Sequence, residues 1–203
     1  MPTNIYIVGA QCTGKTTLVT ALQGHFRAQL SQPSQGQSSS PPIITEVARK
    51  VLREHNFTAS DITSSPSKAL SFQQLILKAQ YEAETSITQP WYISDRSGLD
   101  PIIYAKRYVG PDAADLMMGT EMWRDLRERM GRSLIIVCEA GMDWLTDDGV
   151  RLMPTDKADW TTFHELFCNT LREAKLEFAV LPRSIEDIER RVDFVLNLHA
   201  RMR

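Results

Sequence analysis

The sequence predicts an α/β fold, a three-layer α/β/α sandwich around a parallel five-stranded sheet. Three observations lead there. Five short apolar runs alternate with longer stretches whose apolar residues recur every 3.6 residues. The first run, Ile5-Tyr6-Ile7-Val8, passes straight into a glycine-bounded segment and then into a helical pattern. The chain has 203 residues, 42% hydrophobic and 24% charged, which suffices to bury the core of one domain covering residues 1–203 but not of a second. Strands that alternate with helices imply right-handed crossovers and a sheet covered on both faces, with ligands gathered at the carboxyl ends of the strands.

The elements follow in order. After Ile5–Val8, Leu18, Leu22 and Phe26 mark one face of a helix from about Thr16 to Leu30. Residues 31–42 (SQPSQGQSSSPP) hold almost nothing apolar and read as a flexible surface loop. Ile43-Ile44-Thr45 is a short strand that leads into a helical stretch, Glu46 to Leu52. Ser65-Pro66 starts a further helix whose stripe is Phe72, Leu75, Ile76, Ala79 and Ala83, ending near Ser86. Trp91 to Ser94 is the third strand and delivers Asp95-Arg96 to its carboxyl end. Asp100-Pro101 opens the next helix, as a cap and a first residue. Residues 112–130 read as one helix with a solvated face carrying the Asp125 and Arg129 pair. Leu134 to Cys138 is the fourth strand, Asp159 to Leu176 a helix, and Phe178 to Leu181 the fifth strand. Ser184 with Asp187 caps a last helix that turns Ile185, Ile188, Val192 and Val195 inward.

The chemistry begins behind the first strand. Gly9-Ala10-Gln11-Cys12-Thr13-Gly14-Lys15-Thr16 fits the phosphate-binding loop G-x-x-x-x-G-K-[ST], which arises by chance in about one chain of this length in a hundred. Its glycines let the backbone turn so that successive N–H groups and a helix N-terminus, reaching Thr17, surround phosphate oxygens. Lys15 reaches the β- and γ-phosphates and the Thr16 hydroxyl binds Mg²⁺. The chain is therefore expected to bind a nucleoside triphosphate, ATP or alternatively GTP, together with Mg²⁺.

Asp95 ends a strand, where a carboxylate can hold the metal through water or accept a proton from an acceptor hydroxyl; a helix cap or an arginine partner is the structural alternative. Glu46 is the other candidate base, crowded by a second acid and therefore raised in pKa, or else merely paired with Arg49 one helical turn on. Arg96 either anchors a substrate or forms a structural salt bridge. Residues 139–157, between the fourth strand and the following helix, form the expected lid. In it Arg151, with Lys157 as the reserve, either stabilises transferring charge or is an exposed loop arginine without that duty, and Trp144 either stacks on a flat substrate or plugs the lid. Cys12 lies within the phosphate loop. The four histidines have no ligand spacing.

A net charge of −2 excludes a general basic field, so duplex nucleic acid is not an expected partner. Cys12, Cys138 and Cys168 form neither a disulfide framework nor a zinc pattern and suit a reducing cytoplasm. No signal peptide and no membrane span are expected. The sequence leaves a homodimer open.

Taken together, the loop, Thr45-Glu46-Val47-Ala48-Arg49, Asp95 through Pro101 and Trp144 through Arg151 resemble the NadR-like P-loop kinase domain, an AAA-type domain that supplies nicotinamide riboside kinase activity in bacteria. More distantly, the Asp-Arg pair is similar to that of nucleoside and nucleotide kinases. The resemblance implies strand order 2-3-1-4-5, a lid, and ATP-dependent phosphorylation of a hydroxyl on a small, nucleoside-like acceptor. Lys15, Asp95, Glu46 and Arg151 would be catalytic, and Glu46, Arg49, Arg96 and Trp144 would face the acceptor. The chain departs from compact bacterial members in the Ser/Gln/Pro-rich insertion, and it lacks a nucleotidyltransferase domain. The competing class is a GTP-binding switch or carrier. Asp95-Arg96-Ser97-Gly98 matches D-x-x-G, and Asp156-Lys157-Ala158-Asp159 is one residue from N-K-x-D, but the latter does not follow an apolar strand.

Overall fold

The computed structural model describes residues 3–30, 40–141 and 155–202. Among them, strands β1 (Ile5–Val8), β2 (Ile43–Ile44), β3 (Ile93–Asp95), β4 (Leu134–Cys138) and β5 (Ala179–Leu181) form one sheet in the order β2-β3-β1-β4-β5. Every pairing is parallel, with Ile7 opposite Asp95 on one side and Ile136 on the other. Order and direction are those the resemblance implied.

The alternation within β1 explains the layers. Ile5 and Ile7 point to one face and meet Leu18, Leu22 and Phe26 of helix α1 (Lys15–Leu30), with Val192 and Val195 of the last helix, Ile188–Arg201. Tyr6 and Val8 point to the other face. There they meet α2 (Val47–His55), α3 (Ala59–Ser64), α4 (Pro66–Thr85), α5 (Leu99–Tyr108), α6 (Pro111–Met118), α7 (Glu121–Gly131) and α8 (Lys157–Glu173). The last helix is α9. No helix among the described residues is long and apolar enough to cross a membrane.

Three elements differ from the sequence reading. The expected helix over 112–130 is two, because Thr120 leaves the helical path and its hydroxyl accepts from the Trp123 N–H, capping a new start. Helix α3 is additional and rests on a capping box in which Thr58 and Asp61 each accept from the other's backbone. Asp100 is not a cap, since Gly98 holds that position; it lies buried in the first turn of α5.

The stripe on α4 is also rotated. Gln73, Gln80 and Glu84 are buried beside Phe72 and Ile76, while Leu75, Ala79 and Ala83 are only partly covered. Glu84 and the Gln80 amide nitrogen are hydrogen-bonded there, while Gln80 Oε1 has no partner among the described residues. The Glu84 carboxylate accepts from Tyr6 (2.6 Å), Tyr92 (2.7 Å) and the Gln80 amide (2.8 Å), and that amide also reaches Ser94 (3.1 Å). Burial nevertheless pushes the Glu84 carboxyl up from its usual value.

Candidate active site

The loop between β1 and α1 needs its glycines for separate reasons. Gly9 has φ +127°, and a Cβ there would lie 2.8 Å from the main-chain oxygen of Cys138 on β4. Gly14 has φ +75°, and its Cβ would meet the Arg191 guanidinium at 2.8 Å. Cys12 adopts φ +59°, so left-handed residues interrupt the loop, the geometry that turns neighbouring N–H groups toward one point. Gly9→Ala should lower stability by about 2 kcal/mol or more, a fall in melting temperature of roughly 4–8 °C, because both the dihedral and a main-chain atom oppose it. Thermal unfolding followed by circular dichroism measures this, and an unchanged midpoint contradicts the packing described.

Lys15, Thr16, Asp95, Arg96 and Glu46 come together around that loop and line one cavity of about 80 Å³ with Cys12, Thr13, Gly14 and Thr17. The Lys15 ammonium is buried and folds back onto the Ala10 carbonyl at 2.5 Å. Burial and the nearby Arg96 charge bring its pKa down to about 8, against the opposing pull of Asp95. The Thr16 hydroxyl donates to Asp95 Oδ2 at 2.6 Å. The second oxygen, Asp95 Oδ1, is buried without a hydrogen-bond partner among the described residues. A hydroxyl in the first turn of α1 and a half-satisfied carboxylate at the end of β3 form a hard oxygen pair that fits Mg²⁺, which takes one or two protein oxygens and keeps several waters.

Arg96 stands next in the chain with φ +83°, an uncommon conformation for a large side chain that turns its guanidinium back across the end of the sheet. Its N–H is anchored by the Ile7 carbonyl at 2.9 Å. Its side chain donates to Glu46 Oε1 through Nε (2.8 Å) and Nη2 (2.7 Å), and Nη1 lies 3.4 Å from Asp100 Oδ1. The other Glu46 oxygen accepts from Arg49 Nε at 3.0 Å. Asp100 in turn accepts from the N–H and hydroxyl of Ser97, each at 2.8 Å. The pair between Glu46 and Arg49 and the salt bridge of Arg96 are thus both present, joined through one carboxylate.

This arrangement corrects the expectation for Glu46. Its immediate partners are two arginines rather than a second acid. Burial pushes its carboxyl up, but the Arg96 guanidinium and the Arg49 hydrogen bond outweigh burial and bring the pKa from 4.5 down to about 2. A depressed carboxylate stabilises the fold fully above its unfolded value and loses that contribution as pH falls from about 4.5 through about 2. The loss is bounded at roughly 3 kcal/mol. Urea unfolding at pH 5 and pH 2.5 should show the wild type losing more stability than Glu46→Gln; parallel losses contradict the pairing.

A second cavity, of about 90 Å³, opens on the other side of the same two side chains. Glu46 and Arg96 line it, as do Arg49, Gln80 and Asp100, and its apolar wall includes Phe72 and Ile76. Gln11 joins it from the phosphate loop and accepts from Tyr104 at 3.3 Å.

Of the remaining expected residues, Trp144 and Arg151 lie outside the described residues, as do 31–39 of the flexible loop and 142–154 of the lid. Lys157 begins α8 beside Gly141. Asp156 caps that helix, accepting from the Asp159 N–H, and Asp159 is taken by Arg107 at 2.5 Å. Sequence reasoning missed Gln80, Trp160 and Arg191. The signal for Arg191 was available: it sits three residues after Ile188 and next to Val192, on the inward face of the last helix, where a charge is out of pattern.

The geometry of strand, phosphate loop and helix defines a P-loop protein of kinase-like topology. The chain belongs to the AAA domain family, which matches residues 4–191. Among solved structures it is similar to NadR protein in complex with NR, with TM-score 0.69 and 20% identity over 98% of this chain and 51% of that one. It is also similar to deoxyadenosine kinase from M. mycoides with bound products, with TM-score 0.62 and 13% identity over 98% of this chain and 100% of that one. Shikimate kinase from Acinetobacter baumannii with shikimate matches at TM-score 0.53 and 12% identity, over 98% and 91% of the two chains. At these identities the likeness is one of fold. The chain spans about half the length of the NadR chains it matches. No curated protein matched the sequence.

Proposed function

We propose that the chain is an ATP- and Mg²⁺-dependent kinase that phosphorylates a hydroxyl of a small, nucleoside-like acceptor. The observation that carries this reading is that Glu46 and Arg96 line both cavities, so a molecule in the second would present a hydroxyl to a phosphate held in the first. Lys15 leaves the Ala10 carbonyl for the β- and γ-phosphates, and the loop amides hold the remaining oxygens. Thr16 and Asp95 would hold Mg²⁺, which supplies charge neutralisation on the phosphates when bound.

Glu46, fixed by two arginines, orients the acceptor hydroxyl. Its low pKa makes it a weak proton acceptor, and a loose phosphoryl-transfer transition state asks for positioning more than for early proton removal. Arg96 serves two ends: it fixes Glu46 and places a guanidinium near the transferred group, where developing negative charge is stabilised. Arg49 and Trp144 complete the acceptor side and Arg151 the lid in this reading.

The alternative of a GTP switch or carrier would need a base-reading acid behind an apolar strand. Asp156 and Asp159 are instead a helix cap and an arginine partner. ADP release measured with a panel of nucleosides, nucleotides and small alcohols tests the proposal. Release stimulated by one acceptor class is the expected result; hydrolysis indifferent to every acceptor, or binding of GTP alone, overturns it.

A further inference from the structure

A phosphate loop works only if its amide N–H groups point inward, and then its carbonyls must point outward and find donors of their own. Here the donors to four of these carbonyls can be named. The Ala10 carbonyl accepts from Thr13 Oγ1 (3.0 Å) and from Lys15, and the Gly14 carbonyl accepts from the Leu18 N–H (3.0 Å). Those donors are local, supplied by the loop and its own helix.

The other two come from far along the chain. The Gln11 carbonyl accepts from the indole Nε1 of Trp160 on α8 at 2.9 Å, 149 residues away. The Thr13 carbonyl accepts from Nη2 of Arg191 on α9 at 2.9 Å, 178 residues away. Both side chains are buried, at 1% and 3% exposure, and Arg191 spends its guanidinium on a main-chain oxygen although burying a cation is costly.

Peptide planarity gives these bonds a consequence. In a trans peptide the C=O of one residue and the N–H of the next point in opposite directions. Holding the Gln11 carbonyl outward therefore aims the Cys12 N–H inward, and holding the Thr13 carbonyl outward aims the Gly14 N–H inward. We propose that Trp160 and Arg191 are positioning residues that preset the Cys12 and Gly14 amides for the polyphosphate, so that α8 and α9 set nucleotide affinity without touching the nucleotide. The inference rests on the reading of the loop as a triphosphate site, yet its first test does not.

Trp160→Phe keeps most of the volume and removes the N–H; Arg191→Met keeps the length and removes the donors; Arg191→Lys keeps one donor. Hydrogen exchange of the unliganded full chain, resolved over residues 9–16, should speed up roughly five- to tenfold in the first two variants, while β1 and β4 remain protected. In calorimetry with Mg·ATP, the dissociation constant should rise by a similar factor and the KM for the acceptor should hold, with Arg191→Lys intermediate. Loop exchange unchanged in Trp160→Phe and Arg191→Met, or lost equally across the strands as a mere core defect would give, overturns the proposal. If the wild type binds no triphosphate, the kinase reading and the claim on affinity fail together, and the exchange result still decides whether Trp160 and Arg191 hold the loop amides in place.

Discussion

Replacing Lys15 by alanine is expected to reduce phosphoryl transfer by roughly 10²- to 10³-fold while leaving the unliganded fold as stable as before, or slightly more so. The two halves of that expectation have one cause. The Lys15 ammonium is buried beside Arg96, and these surroundings bring its pKa down to about 8, so the charge costs the empty protein something. The folded value lies below the unfolded 10.5, so this cost is present below pH 8 and fades as pH rises from about 8 toward 10.5. Phosphate oxygens reverse the balance by favouring the charged form. Nucleotide binding above pH 8 should therefore take up a proton, and affinity should fall as pH rises through that value. Calorimetry in two buffers of different ionisation enthalpy measures the uptake directly. A variant that loses stability and keeps transfer would show that Lys15 is only a core residue.

Asp95→Asn is expected to produce the second large effect, a loss of about 10²-fold or more in kcat/KM with a shift of at least about tenfold in the Mg²⁺ concentration needed. Stability should hardly move. An amide oxygen still accepts from the Thr16 hydroxyl, and the buried carboxylate it replaces has one oxygen without a partner among the described residues. That pair of results would place Asp95 for a ligand rather than for the fold. Loss of stability with no change in Mg²⁺ dependence would instead make Asp95 a structural anchor for Thr16.

How much of this was legible in the sequence depends on how local each cause is. The strand Leu134–Cys138 was readable to the residue, because a central parallel strand is apolar on both faces and this run is bounded by the polar Ser133 and Glu139. The phosphate loop was readable because its requirements are backbone requirements, set by Gly9, Gly14 and the strand before them. The break at Thr120 was also local but lies in a run whose charge spacing reads as one helix, and the capping box at Thr58 falls in a stretch assigned to no element. Glu46 was misjudged for another reason. Which charge lies closest to it depends on Arg96, 50 residues away, adopting a left-handed backbone that sequence does not announce. The buried face of α4 was missed likewise, since Gln80 and Glu84 count as core only once Tyr6, Tyr92 and Ser94 are seen to hydrogen-bond with them.

In the proposed reading, the ion-paired Glu46 and Arg96, which line both cavities, stand between a phosphate cradle and an apolar-walled acceptor cavity. The most direct measurement is transfer of label from γ-labelled ATP, with Mg²⁺, to members of a nucleoside and small-alcohol panel, read on the acceptor itself. The account predicts label on an acceptor hydroxyl in the wild type and roughly 10²- to 10³-fold slower labelling in Lys15→Ala. Well-folded protein that retains ATP yet labels no acceptor would contradict it.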